Sequence, residues 1–147
     1  GERMRSALAT KLSVMYHGKY SSQTVTHLTD FTSVADIQAH FDGLLSDGMT
    51  TDNYGTVWTI DHTIACAWYN HEDPDDRKNC WSRLNLMPML KFDNQSKGVT
   101  LPSEEILVPL KAIWPKSWNG RIPSSEERIQ MYQRTHPRSK CFARVEV

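Results

Sequence analysis

The sequence predicts a single α+β domain, and three observations carry that prediction. Thr56 to His62 alternates in the period of a strand and is rich in β-favouring residues. Leu84 to Met89 is a second short apolar run, interrupted by Pro88, which keeps its far end out of a central strand position. On either side lie segments whose apolar residues recur at helical spacing. A chain of 147 residues with 39% hydrophobic side chains has enough apolar surface for one core, and a domain of that size buries about 70% of the surface its unfolded chain exposes.

The elements follow in order. Met4, Leu8, Leu12 and Met15 make one face of a helix over Arg3 to Met15, with Arg3 and Arg5 available for a DNA backbone or simply for water. His17 to Ser22 reads as a loop. Ser33 caps a second helix, Asp36 stands at capping-box spacing, and Ile37, Phe41, Leu44 and Leu45 form its apolar face as far as Asp47-Gly48. His40, inside that helix, reads as a packing or surface residue and not a ligand. A turn-rich stretch over Met49 to Gly55 leads into the strand that ends at Asp61-His62. Ala65 to Tyr69 is a short apolar run, Asp73-Pro74 marks a turn or helix start, and Asp75 to Trp81 reads as a helical turn. The Leu84 to Met89 strand then precedes a short helix from Phe92 to Lys97, limited by Gly98. Beyond it, Pro109, Pro115 and Pro123 punctuate a Trp-containing segment without long periodicity. Ser124 to Glu127 is a capping-box signature for a helix reaching about Arg134, and Cys141 to Val147 reads as strand. We therefore divide the chain into an N-terminal helical region (1–55), a core (56–101) and a C-terminal extension (102–147), all within one compact domain.

Seventeen basic and seventeen acidic residues cancel, which argues against a protein that coats nucleic acid by bulk charge. The distribution is uneven: residues 21–55 carry five Asp and no Lys or Arg, and residues 91–147 carry ten Lys or Arg against six acids. Basic ends around an acidic middle can place phosphate-binding arms beside a metal-binding centre. Three cysteines, Cys66, Cys80 and Cys141, form neither a paired framework nor a zinc-ribbon spacing. Cys66, Cys80 and His71 fit no usual zinc set, so a buried free thiol is the expectation for each cysteine. Without a long apolar run or a secretory signal, the expected setting is intracellular, in cytoplasm or nucleus, with no membrane insertion and no secretion. For the same reason the Asn94-Gln95-Ser96 sequon is not read as a glycosylation site.

One set of residues has the composition of a hydrolytic site. Cutting a phosphodiester requires a base for water, neutralisation of developing negative charge and stabilisation of the leaving oxygen. Histidine is the side chain whose ordinary range lies near neutral pH, which makes His62 the candidate base. Asp61 and Asn94 offer hard oxygens suited to Mg²⁺. Asn85, on the second strand, is placed either to fix the connecting loop or to hold the imidazole. Lys97, one helical turn from Asn94, is placed to meet a phosphate oxygen, with Lys91 a weaker candidate.

From about Arg3 to Leu101 the chain resembles HNH endonucleases of the type common in phages and large DNA viruses. The resemblance rests on Gly48-Met49-Thr50, Asn53-Tyr54-Gly55 and Trp58-Thr59-Ile60-Asp61-His62, followed by Asn85-Leu86-Met87-Pro88-Met89 and by Asp93-Asn94 with Lys97-Gly98. It implies a ββα-metal (His-Me finger) core, with His62 as general base, Asp61 and Asn94 as ligands of one Mg²⁺ or Mn²⁺ ion, and Asn85 as the residue that orients the base. It further implies DNA as substrate, 5′-phosphate and 3′-hydroxyl products, and a virus-encoded origin as one option. Thr63-Ile64-Ala65 stands where the family has Ile-Ile-Pro, at positions that shape the loop and not the metal shell. Residues from Pro102 onward match no part of the family pattern, leaving DNA contact, a homodimer interface or attachment to a larger assembly as roles for them. Fold does not fix function, so a catalytically silent module that binds nucleic acid or a protein partner, or a structural part of a viral assembly, remains the alternative.

Overall fold

The computed structural model describes residues 29 to 135. The expected helix over Arg3 to Met15, with Arg3 and Arg5, the loop over His17 to Ser22 and the strand over Cys141 to Val147 lie outside the described residues. The described part is α+β: two short antiparallel strands with helices and 3-10 turns around them. No helix among the described residues is long and apolar enough to cross a membrane.

Helix α1 spans Val34–Asp42. Its first turn is closed by Ser33, whose Oγ accepts the Asp36 N–H at 3.0 Å, while an Asp36 carboxylate oxygen accepts the Thr32 N–H at 2.9 Å. The sequence pattern carries this helix to Asp47, but it stops five residues earlier. Gly43 caps it by donating its N–H to the carbonyls of Ala39 and Phe41, so that Leu44 lies exposed and only Leu45 still reaches the core. Ile37 and Phe41 are the buried face. His40 bonds through Nε2 to the Leu86 carbonyl at 2.7 Å between the rings of Phe31 and Phe41, which fastens α1 to the second strand and confirms a packing role.

A 3-10 turn at Thr51–Asn53, held by a reciprocal capping box between Thr50 and Asn53, delivers the chain to β1, Trp58–His62. Gly55 takes φ 88°, the left-handed region that glycine enters at little cost, and donates its N–H to the Trp58 carbonyl. The Trp58 indole is fully buried and donates to the Thr50 carbonyl at 2.7 Å, which locks this turn onto the strand.

The expected apolar run after β1 is a 3-10 turn, Cys66–Trp68, with Trp68 buried. Helix α2, Pro74–Cys80, starts as Asp73-Pro74 predicts: the Asp73 carboxylate accepts the N–H groups of Asp75 and Asp76 and Pro74 occupies the first turn. Strand β2, Leu86–Leu90, pairs antiparallel with β1 in the register Trp58 to Leu90, Ile60 to Pro88 and His62 to Leu86. In a sheet of two strands every strand is an edge, so Pro88 removes no hydrogen bond from an inner ladder. Helix α3, Lys91–Lys97, follows β2 without a loop and ends at Gly98, whose φ is 54°.

The segment after Gly98 packs onto the same core. Helix α4, Glu104–Leu107, runs into 3-10 turns over Val108–Ile113 and Lys116–Trp118, and α5, Ser125–Thr135, closes the described chain. The capping box of α5 forms as its sequence predicts: Ser124 Oγ accepts the Glu127 N–H and the Glu127 carboxylate accepts the Ser124 N–H. Leu107, Trp118 and Met131 join Trp58, Trp68, Tyr69, Trp81 and Leu86 in one buried cluster. Polar contacts fix this docking. Tyr69 Oη donates to the Ile113 carbonyl at 2.8 Å, and Trp68 Nε1 donates to the Val99 carbonyl at 3.0 Å. Buried Asp76 accepts the Asn70 N–H at 2.9 Å and the Lys116 N–H at 3.1 Å.

Candidate active site

The end of β1 and helix α3 enclose a cleft of about 200 Å³ lined by Ile60, Asp61, His62, Ala65, Cys66, Asn94, Lys97 and Gly98. The pleat sends Thr59 and Asp61 toward α3 and turns His62 the other way, as strand alternation predicts. Asp61 is 4% exposed, and the ammonium of Lys97 lies 3.2 and 3.3 Å from its two oxygens. The same ammonium also donates to the His62 carbonyl. Burial pushes the Asp61 carboxyl above its ordinary range, and the charge and hydrogen bond of Lys97 offset only part of that rise. Asn94 sits one turn before Lys97 and donates through Nδ2 to Thr59 Oγ at 2.9 Å, which leaves its amide oxygen as the acceptor end. One carboxylate and one amide oxygen beside a cation-occupied pocket are the donor chemistry of a hard divalent ion.

On the other face, His62 meets the indole of Trp81 edge to face, with ring centroids 4.4 Å apart. Its Nε2 is buried and has no hydrogen-bond partner among the described residues. Cys66 and Cys80 lie beside it with their sulfurs 3.3 Å apart, and the two sulfurs and a nitrogen of His62 fall within 4.8 Å of one another. These three side chains could hold a metal ion. Hydrogen bonding to Cys80 pulls the Cys66 thiol well below its usual range, with His62 adding to the effect.

Asn85 explains how a loop of residues 63–85 keeps this arrangement. It lies just ahead of β2 instead of on it, fully buried. Its Oδ1 accepts the Ile64 N–H at 2.7 Å, and its Nδ2 donates to the carbonyls of Ile64 at 3.1 Å and Cys80 at 2.9 Å. Its own carbonyl accepts the Thr63 N–H at 2.8 Å. Of the two roles open to Asn85, fixing the loop is the one these bonds perform. Its bonds reach the backbone of Thr63 and Ile64, the two residues after His62, and none of them is to the imidazole.

The structure therefore brings together Asp61, His62, Asn94 and Lys97, with Asn85 bracing them. Lys91 is not among them. It donates to the Gly55 carbonyl at 3.2 Å at the far end of the hairpin, about 13 Å of strand from Asp61. The expected buried thiol stands at Cys80, and Cys66 is half-buried; what the sequence did not show is that the two converge with His62. His71 does not join them as a ligand; its Nε2 bonds to the Cys66 carbonyl at 2.8 Å. A separation of fourteen residues carried no local sign of this pairing, which depends on how α2 packs under the loop. Trp118 is core, at 4% exposed, and the Trp114 indole donates to the Leu107 carbonyl.

No family model matches the chain, and no solved structure matches it. The chain is similar to an uncharacterized protein of Acanthamoeba polyphaga mimivirus, 26% identical over 107 residues, which covers 71% of this chain and 45% of that protein. A second uncharacterized protein of the same virus is 35% identical over 48 residues, 33% of this chain and 21% of its own length. The chain thus spans less than half the length of either viral relative.

Proposed function

We propose that this protein is a metal-dependent endonuclease of the HNH type, built on a ββα-metal core formed by β1, β2 and α3, that hydrolyses DNA phosphodiester bonds. The observation that carries the proposal is the cleft itself: a histidine, a buried carboxylate, an amide oxygen and a lysine meet at the junction of an antiparallel hairpin and the helix that follows it.

In this reading His62 accepts the proton of the attacking water, and its packing against Trp81 holds the ring plane for that transfer. Asp61 and Asn94 would hold Mg²⁺ or Mn²⁺, which supplies positive charge against the phosphate and the leaving oxygen. Lys97 lies on Asp61 and, with the carboxylate given over to a metal ion, would be free to meet a phosphate oxygen. Asn85 keeps the loop from drifting, so the imidazole stays where the water must be. Products are a 5′-phosphate and a 3′-hydroxyl. Supercoiled plasmid incubated with Mg²⁺ should be nicked or linearised by the wild type and left intact by His62→Ala; equal activity removes His62 from the mechanism.

One observation favours a second reading. Lys97 neutralises Asp61, and the His62 Nε2 is buried, so the site is self-satisfied on its acidic side and shielded on its basic side. A module that keeps this scaffold while binding nucleic acid or a protein partner would tolerate both features. Divalent-ion binding with no cleavage of plasmid, single-stranded or branched DNA selects that reading.

A further inference from the structure

Beside the oxygen-lined cleft stands a donor set of a different kind. Cys66 opens a 3-10 turn, Cys80 ends α2 and His62 ends β1, so three separate elements supply the three side chains. Asn85 ties those elements together through Ile64 and the Cys80 carbonyl, which makes the set a preformed frame. Tetrahedral zinc, with bonds of about 2.3 Å to sulfur and 2.0 Å to nitrogen, spaces its ligands roughly 3.5 to 3.8 Å apart. The two sulfurs, at 3.3 Å, need only part by about half an ångström to meet that geometry. Cys66 and His62 also line the cleft, which gives an ion a way in and solvent a place as fourth ligand. The His62 Nε2 is buried without a hydrogen-bond partner among the described residues, a polar atom left over beside the two sulfurs.

We infer that Cys66, Cys80 and His62 form a second cation site, selective for a thiophilic divalent ion such as Zn²⁺, and that filling it withdraws His62 from proton transfer. Binding forms two metal–sulfur bonds and one metal–nitrogen bond, with Cys66 already a thiolate and the Cys80 thiol proton released to solvent. Mg²⁺ disfavours sulfur ligands and does not compete there. The metal assignment stands on the donor set alone; the effect on His62 rests on the endonuclease reading.

Cobalt separates the two parts. The full chain, kept reduced, is titrated with Co²⁺ and then Zn²⁺ while the near-ultraviolet sulfur-to-cobalt charge-transfer band is followed. The expected result is a band that saturates at one ion per chain and is bleached by Zn²⁺. Cys66→Ser should weaken Co²⁺ binding by about tenfold or more, and the half-buried position of Cys66 favours a folded variant, verified by circular dichroism. Asp61→Asn should keep the band. Absence of the band, or its survival in the Cys66→Ser, Cys80→Ser double variant, overturns the site. In a plasmid assay with excess Mg²⁺, one equivalent of Zn²⁺ should suppress cleavage by wild type and spare Cys66→Ser. Equal suppression of both overturns the link to His62, and a chain that cuts nothing yet shows the band refutes the endonuclease reading only.

Discussion

Asp61 and His62 are consecutive on β1, and the pleat places them in opposite surroundings. Asp61 faces α3, where Lys97 and Asn94 supply charge and hydrogen bonds and where a hard cation would be at home. His62 faces the loop and α2, among an indole and two thiols that offer a softer chemistry. The difference shows that a dipeptide can serve one cleft from two sides only if both sides are braced separately. On the first side the brace is a single helix leaving β2 directly. On the second it is Asn85, whose bonds span the beginning and end of a long loop.

The largest test of that contrast is kinetic. His62→Ala should lower plasmid cleavage by about 10² to 10⁴-fold, the usual contribution of a general base, while far-UV circular dichroism stays unchanged. Comparable loss of fold would mean that the soft side is structural first. Next comes the brace. Asn85→Ala removes the buried bonds to the Ile64 N–H and to the Ile64 and Cys80 carbonyls and should cost about 3 kcal/mol in urea unfolding. A cost below about 1 kcal/mol would show that the loop holds itself.

Smaller effects lie away from the cleft. Arg83, hydrogen-bonded to Asp36, holds its carboxyl at about 2 against an ordinary 3.8, and the Thr32 N–H assists. Because that pKa is depressed in the folded chain, the stabilisation is present above pH 3.8 and is lost as pH falls toward 2. Asp36→Asn should therefore lower stability in urea unfolding at neutral pH, where the ion pair is fully formed, and the difference from wild type should shrink as pH falls below 3.8 toward 2. The smallest effect belongs to Lys116, which pairs with Asp73 and Asp75 while its side chain is 58% exposed. Lys116→Ala should change the urea-unfolding midpoint least of all these variants, and added salt should shrink that change further.

What the sequence made legible follows the range of the interaction that decides each feature. β1, β2, α2, α3 and the capping box of α5 rest on alternation or on caps within a few residues, and each lies close to its expected place. The end of α1 was misplaced because Leu44 and Leu45 continue the helical period, whereas the backbone turns at Gly43. Asn85 could be picked out as a residue of the site, but not its partners, which lie 5 and 21 positions away along a folded loop. The cysteine pair and the docking of Trp118 against Trp68 depend wholly on tertiary packing, and no local pattern announces either. Lys97 on Asp61 lies between these cases: its helical spacing from Asn94 placed it, while its choice of a carboxylate over open solvent did not follow from spacing.

The buried carboxylate of Asp76 carries a practical consequence for anyone who would shorten this protein. It grips the loop at Asn70 and the later segment at Lys116 with its two oxygens, while Tyr69 and Trp68 reach across to Ile113 and Val99. Trimming at Leu101 would strip Leu107, Trp118 and Met131 from the cluster that backs the hairpin and leave Asp76 buried beside a missing donor. The hairpin and its helix are thus not a portable cassette. Grafting them into another scaffold would require carrying residues more than fifty positions downstream of His62, or redesigning Asp76, Trp68 and Tyr69 as a new outer surface.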